Sequence, residues 1–233
     1  MHGFNWFSLL FEKITHENLH VVSALMVALL LIGGALLVRK KLVRLEQTLI
    51  PSHRFTLTNV FELLIENILS LMEGVMGPHA RRFFPLIGTL FIYIFACNLL
   101  SVIPGFVPPT DNVNTNFAAA LCVFAYYNYV GIKEHGLVNY LKHFMGPIWW
   151  LGPLMLVIEL ISHIVRPVSL SLRLFGNITG DHLVLGIFSN LIPLVVPVIF
   201  MMLGIFVAFI QAFVFTLLSM IYIALANAHE EQH

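Results

Sequence analysis

Within an overwhelmingly apolar stretch, Ile148 to Phe188, stand Glu159, Ser162, His163, Arg166, Ser169, Arg173, Asn177, Asp181 and His182. At the centre of a bilayer an arginine or aspartate costs on the order of 3 kcal/mol, so such groups face a partner, a water cavity or a transport path. Arginine holds its charge at every biological pH, because its pKa exceeds about 12. A permanent cation among groups that can gain and lose protons is suited to steering protons or holding an anion.

The spacing predicts the element that carries them. Glu159, Ser162, Arg166, Ser169, Arg173, Asn177 and Asp181 recur at intervals of three or four, which on a helix is one continuous polar stripe. The helix predicted over 148–189 has about forty residues, roughly 60 Å at about 1.5 Å each, against a hydrocarbon core of roughly 30 Å. Unless Pro167 or Gly176 breaks it, it must lie steeply tilted.

With 59% hydrophobic and only 10% charged residues, the chain reads as an all-α integral membrane protein, which excludes a soluble enzyme. The formal net charge of zero gives nucleic acid nothing to bind. Cys97 and Cys122 lie in separate apolar segments without metal or redox spacing and read as small buried hydrophobes. No metal, cofactor or catalytic residue is expected. In the first apolar run the basic cluster Arg39-Lys40-Lys41 follows the hydrophobic core, so the run is a retained span and not a cleaved signal.

The chain forms a single membrane domain over 1–233. Residues 19–38 supply the first span, and the basic residues through Arg44 place the following loop inside, with the N-terminus outside. Over 59–77, Asn59, Glu62, Glu66, Ser70 and Glu73 share one face, which reads as an interfacial helix with a solvated acidic side and not as an ion path. Residues 83–103 and 117–132 read as a hairpin, the second arm short, joined by a Pro-, Gly- and Asn-rich outer turn without Lys or Arg. A proline-marked break from Leu191 to Pro197 leads into another long helix over 198–227, carrying Gln211, Thr216, Ser219 and Tyr222, and a cytoplasmic tail follows. The expected architecture is five membrane helices plus one amphipathic interfacial helix. Nine Lys or Arg then fall inside, Lys13 outside, and Arg166 and Arg173 within the membrane, as the positive-inside rule requires. No internal repeat is visible, so an inverted-repeat transporter has no support.

Ser169-Leu170-Ser171-Leu172-Arg173-Leu174-Phe175-Gly176-Asn177 followed by Gly180, with Gln211-Ala212-Phe213 in the next helix, closely resembles subunit a of the membrane sector of F-type ATP synthases. Asn98 to Gly105 is similar to that family's helix end before the outer loop, and Pro109-Thr110 with Asn114-Thr115 is similar to the loop itself. The resemblance runs from roughly Phe61 to the C-terminus.

The resemblance implies a stator in a bacterial inner membrane. Its two last helices form a tilted hairpin against a ring of c subunits, with a peripheral stalk of b subunits, the remaining synthase and membrane lipid as further partners. Two aqueous half-channels would end near Arg173 without joining, Glu159 serving the cytoplasmic one and Asp181 and His182 lying towards the outer one. The family's partner position seven before the glutamine is Gly204 here, so Asp181 is an alternative carrier. Asn112 stands where the family's outer-loop acid falls, with Asp111 adjacent, and Asn114 and Asn116 are candidates for an aqueous inlet. Gln211 would face Arg173 and hold it. Arg166, Ser169 and Ser162 are candidate lining groups, with structural roles open to each, and His163 and Asn177 have packing alternatives. Two rival classes stay open on residues alone, a secondary transporter for an anionic substrate and a haem or quinone redox protein. His163 and His182, the two histidines of the long helix, are about 28 Å apart along it and cannot clamp one haem.

Overall fold

The computed structural model describes residues 19–45, 57–103, 106–137, 140, 150, 152–189 and 195–227. Among these, six α-helices carry the fold: α1 (Leu19–Leu45), α2 (Leu57–Met76), α3 (Ala80–Leu99), α4 (Val113–His135), α5 (Gly152–Ser189) and α6 (Val195–Asn227). Short 3-10 turns at Gly77–His79, Leu100–Val102 and Pro109–Asp111 join or extend them. Four helices are long and apolar enough to cross a membrane, at Leu19–Arg39, Ala80–Val102, Gly152–Phe188 and Pro197–Asn227. The chain is therefore a multi-pass membrane protein, all-helical among the described residues.

The core lies where α3, α4, α5 and α6 meet. Phe83, Ile87 and Ile94 of α3, Val123 and Val130 of α4, Leu174 of α5, and Phe215 and Ile223 of α6 are almost wholly buried there. Met72 brings α2 onto the same core. Near the ends of α3 and α4, an Arg82–Glu134 ion pair at 2.7 Å joins the two helices. By contrast α1 touches the bundle mainly through α3 and the Pro109–Asp111 turn, and most of its leucines are exposed. α5 and α6 likewise leave long apolar faces uncovered, among them Leu154, Val157, Ile161 and Leu172, then Ile199, Met202 and Phe206. In water such faces would be prohibitive, and lipid or another membrane chain removes the difficulty.

Several boundaries differ from those read in the sequence. Neither Pro167 nor Gly176 breaks α5, which runs 38 residues, about 57 Å at about 1.5 Å per residue. Proline within a membrane helix is tolerated because neighbouring groups satisfy the freed carbonyl. The helix expected over 117–132 extends to Val113–His135, since Asn112 caps its start, accepting from the Asn114 amide at 2.9 Å. Gly136 ends it at φ 74°, a conformation open chiefly to glycine. Pro197, expected in the break, already lies in the first turn of α6, where proline needs no amide partner. The basic cluster Arg39 to Arg44 rides on the last turns of α1 and not in a loop, because Lys, Arg and Leu are good helix formers. Cys97 is buried as expected but Cys122 is exposed, because it lies on the side of α4 turned away from the core. The leading segment, the Pro104-Gly105 turn, Lys142, Pro193 and the tail lie outside the described residues.

Candidate functional site

The predicted seam exists as one uninterrupted line on α5, and its surroundings change along its length. At the end near Gly152, Glu159 Oε1 lies 3.6 Å from an Arg166 terminal nitrogen. The Arg166 guanidinium also sits 5.3 Å from the centre of the Tyr222 ring on α6, a cation–π contact. His163, between these two in sequence, turns into the protein and is only 6% exposed. It meets the Tyr127 hydroxyl at 3.2 Å and Asn128 Oδ1 at 2.8 Å, both on α4. Asn128 in turn accepts from the Tyr140 hydroxyl at 2.8 Å. Tyr127, Asn128 and Tyr140 were not legible as site residues. The available signal was a single amide set in the aromatic run Tyr126-Tyr127-Asn128-Tyr129.

At mid-seam Arg173 is exposed, and among the described residues no hydrogen bond or ion pair engages it. One turn further, Asn177 donates to Gln211 Oε1 at 2.6 Å, bridging α5 to α6. Gln211, only 3% exposed, is thus bonded to Asn177 and not to Arg173, as the resemblance had implied. Ser162 and Ser169 are half-buried on the same stripe.

The far end of the seam meets the short turn before α4. Thr179 donates to Asp111 Oδ1 at 3.5 Å, and the buried Asn116 amide donates to the Thr110 carbonyl at 2.7 Å. Asp181 and His182 stand half-buried just beyond. Asn112 is committed to capping α4, and the Asn114 side chain is exposed. His182 Nε2, Thr110 Oγ1, Asn116 Oδ1 and Gln211 Nε2 are buried without a hydrogen-bond partner among the described residues. Among these residues no cluster of His, Cys, Asp or Glu has the arrangement of a metal site.

An all-helical membrane bundle whose longest helix carries an arginine on an open face, with carboxylates and histidines towards both ends, defines a membrane ion-path protein and not a soluble catalyst. Comparison with known proteins makes this specific. The family model described as ATP synthase A chain matches residues 20–224, so the match begins well before Phe61 and takes in the first helix. The chain is 45% identical over 228 residues to ATP synthase subunit a of Bdellovibrio bacteriovorus, covering 98% of this chain and 99% of that one. It is 50% identical over 224 residues to ATP synthase subunit a 1 of Syntrophotalea carbinolica, covering 95% and 91% respectively. To ATP synthase subunit a of Trichlorobacter lovleyi it is 57% identical over 173 residues, 73% of this chain and 75% of that one. The chain belongs to the ATP synthase subunit a family, whose members translocate protons and are not catalytic by themselves.

Proposed function

We propose that this chain is the stator of a rotary ATP synthase, carrying protons to and from the carboxylates of a c ring through two half-channels that Arg173 keeps apart. The observation that carries the reading is Arg173 itself, exposed and unengaged by any described residue halfway along an unbroken, membrane-spanning helix. A charge so placed is costly unless a partner outside the chain meets it. A guanidinium favours the ionised form of a carboxylate brought beside it, so a ring acid arriving there gives up its proton. The same fixed cation repels a proton crossing directly from one half-channel to the other. Net transfer therefore needs the ring to turn, and each charge moved through 100 mV is worth about 2.3 kcal/mol.

On this reading Glu159, with Arg166, Ser162 and Ser169 along the wall, serves the cytoplasmic half-channel. Asp181 and His182 serve the outer one, whose inlet is lined by Asp111, Asn112, Asn114 and Asn116. Asn177 and Gln211 lie between. The buried polar atoms of Thr110, Asn116 and His182 that lack a partner among the described residues support a wet outer path, because such atoms ordinarily hold water. The exposed apolar faces of α5 and α6 face the ring as a tilted hairpin, and α4 completes five spans with α1, α3, α5 and α6. α2, with Glu62, Glu66 and Glu73 exposed, lies along the interface. Positive charge concentrates inside, which sets the N-terminus outside and the C-terminus in the cytoplasm of a bacterial cell, with the b-subunit stalk as neighbour. Arg173→Ala in the assembled complex should abolish ATP-driven proton pumping in membrane vesicles while leaving the complex intact. Coupled pumping that survives the substitution overturns the assignment.

A further inference from the structure

The buried histidine of α5 has no part in the half-channels just described, yet its surroundings are unusually determinate. Asn128 Nδ2 donates to the Phe124 carbonyl at 2.7 Å, which orients the amide and leaves Oδ1 facing both the Tyr140 hydroxyl and His163 Nε2. An amide oxygen only accepts, so Nε2 must carry the hydrogen. The Tyr127 hydroxyl lies 3.2 Å from both ring nitrogens, and in the neutral ring it donates to Nδ1, the nitrogen without a hydrogen. The imidazole is further enclosed by the Phe124 and Tyr127 rings, at centroid distances of 5.0 and 5.1 Å. A proton leaving Nε2 towards Asn128, its nearer neighbour at 2.8 Å, would meet a carbonyl that cannot pass it on. The arrangement is a clamp and a poor relay.

Its place along the helix matters equally. Pro167 has no amide hydrogen, so it cannot make the helical bond to the carbonyl four residues earlier, which is that of His163. The side-chain clamp therefore sits where the ladder of α5 is weakest. Ten residues on, roughly 15 Å along the axis and about 80° around it, is Arg173. A rotation of 20° about that axis would carry a side-chain tip, some 5–6 Å out, through about 2 Å. Among the described residues the outer face of α5 has no neighbour to resist this, as the exposure of Ile161, Ile164 and Leu172 indicates.

We infer that His163 is a positioning residue of the proton path: its bonds to Tyr127 and Asn128 lock the azimuth of α5 against α4 and so hold Arg173 towards the rotor. The inference rests on the channel reading above. Its test compares two substitutions in the assembled complex. His163→Gln keeps a donor near the Nε2 position, whereas His163→Phe keeps the ring and its aromatic contacts but loses both polar bonds. ATP-driven pumping should stay within about twofold for H163Q and fall about tenfold for H163F, with the pH profile of pumping unchanged in both. A maleimide probe at Leu172→Cys, beside Arg173, should change its labelling rate in H163F but not in H163Q. Equal loss in both variants with a shifted pH profile would make His163 a proton carrier, and wild-type pumping by H163F would make it packing alone. Either overturns the inference. If H163F does not assemble, Asn128→Leu, which breaks the clamp from α4, must give the tenfold loss and altered labelling or the inference fails. The Leu172 labelling does not depend on pumping, so it separates this failure from a failure of the Arg173→Ala test.

Discussion

Replacing Asn177 by alanine strands a buried amide. Gln211 is 3% exposed, its Oε1 accepts from Asn177 at 2.6 Å, and its Nε2 has no partner among the described residues. Removing the donor leaves both ends of the glutamine amide buried and unmet, at a cost of about 1–3 kcal/mol. The reverse substitution, Gln211→Leu, has a different sign. Asn177 is exposed and turns to water, so about 1 kcal/mol of hydrogen bond is lost while the penalty of about 1–3 kcal/mol on Nε2 disappears. The net change lies between neutral and about 2 kcal/mol of added stability. For a chain of this size each kcal/mol shifts a midpoint by about 2–4 °C, so Asn177→Ala with a cost of about 2 kcal/mol should melt about 4–8 °C lower. The assay is brief heating of the detergent-purified complex, removal of aggregate and immunoblotting of the soluble subunit. Both variants should lose pumping, so only stability separates them. A Gln211→Leu midpoint depressed as far as that of Asn177→Ala would refute the reasoning, since it would mean that Nε2 is held by a partner after all.

Further outcomes follow from other contacts. Glu159→Gln should slow pumping more mildly than Arg173→Ala, because the carboxylate that meets Arg166 is lost while the separating cation stays, read as the pumping rate of membrane vesicles. A Cβ on Gly131 would lie 2.5 Å from the Tyr140 ring, so Gly131→Ala should push that ring off Asn128 and lower the thermal midpoint of the complex. Asn112→Ala should cost about 1 kcal/mol through loss of the α4 cap, with Asn112→Asp close to wild type, both read in the same melting assay. Burial raises the Tyr140 hydroxyl above its usual 10.0, Arg166 opposing and Glu159 reinforcing the shift. Its contribution is complete below about pH 10 and disappears as pH rises through the raised value, so alkaline melting should steepen less in Tyr140→Phe than in wild type.

The polar stripe was legible because helical spacing alone aligns residues three and four apart. Glu159, Arg166, Arg173, Asn177 and Asp181 share a line whatever surrounds them, and the apolar residues between them already specify a bilayer. Length was legible only up to Pro167 and Gly176, either of which could have ended the helix, and the structure shows that it runs unbroken for 38 residues. Periodicity is silent, however, about what lies across from each position. That Arg166 covers Tyr222, that Gln211 answers Asn177, and that His163 turns inward while Arg173 stays outward are outcomes of packing α5 against two other helices.

From its residues alone the chain determined that it lives in a membrane, that one long helix bears charge through it, and that this charge is a permanent cation flanked by groups able to titrate. These follow from local chemistry, which every residue carries with it. Only the tertiary structure decided that His163 is held by Tyr127 and Asn128 and Gln211 by Asn177, while Arg173 meets no described residue, because these contacts depend on side chains brought together from α4, α5 and α6, far apart in the sequence.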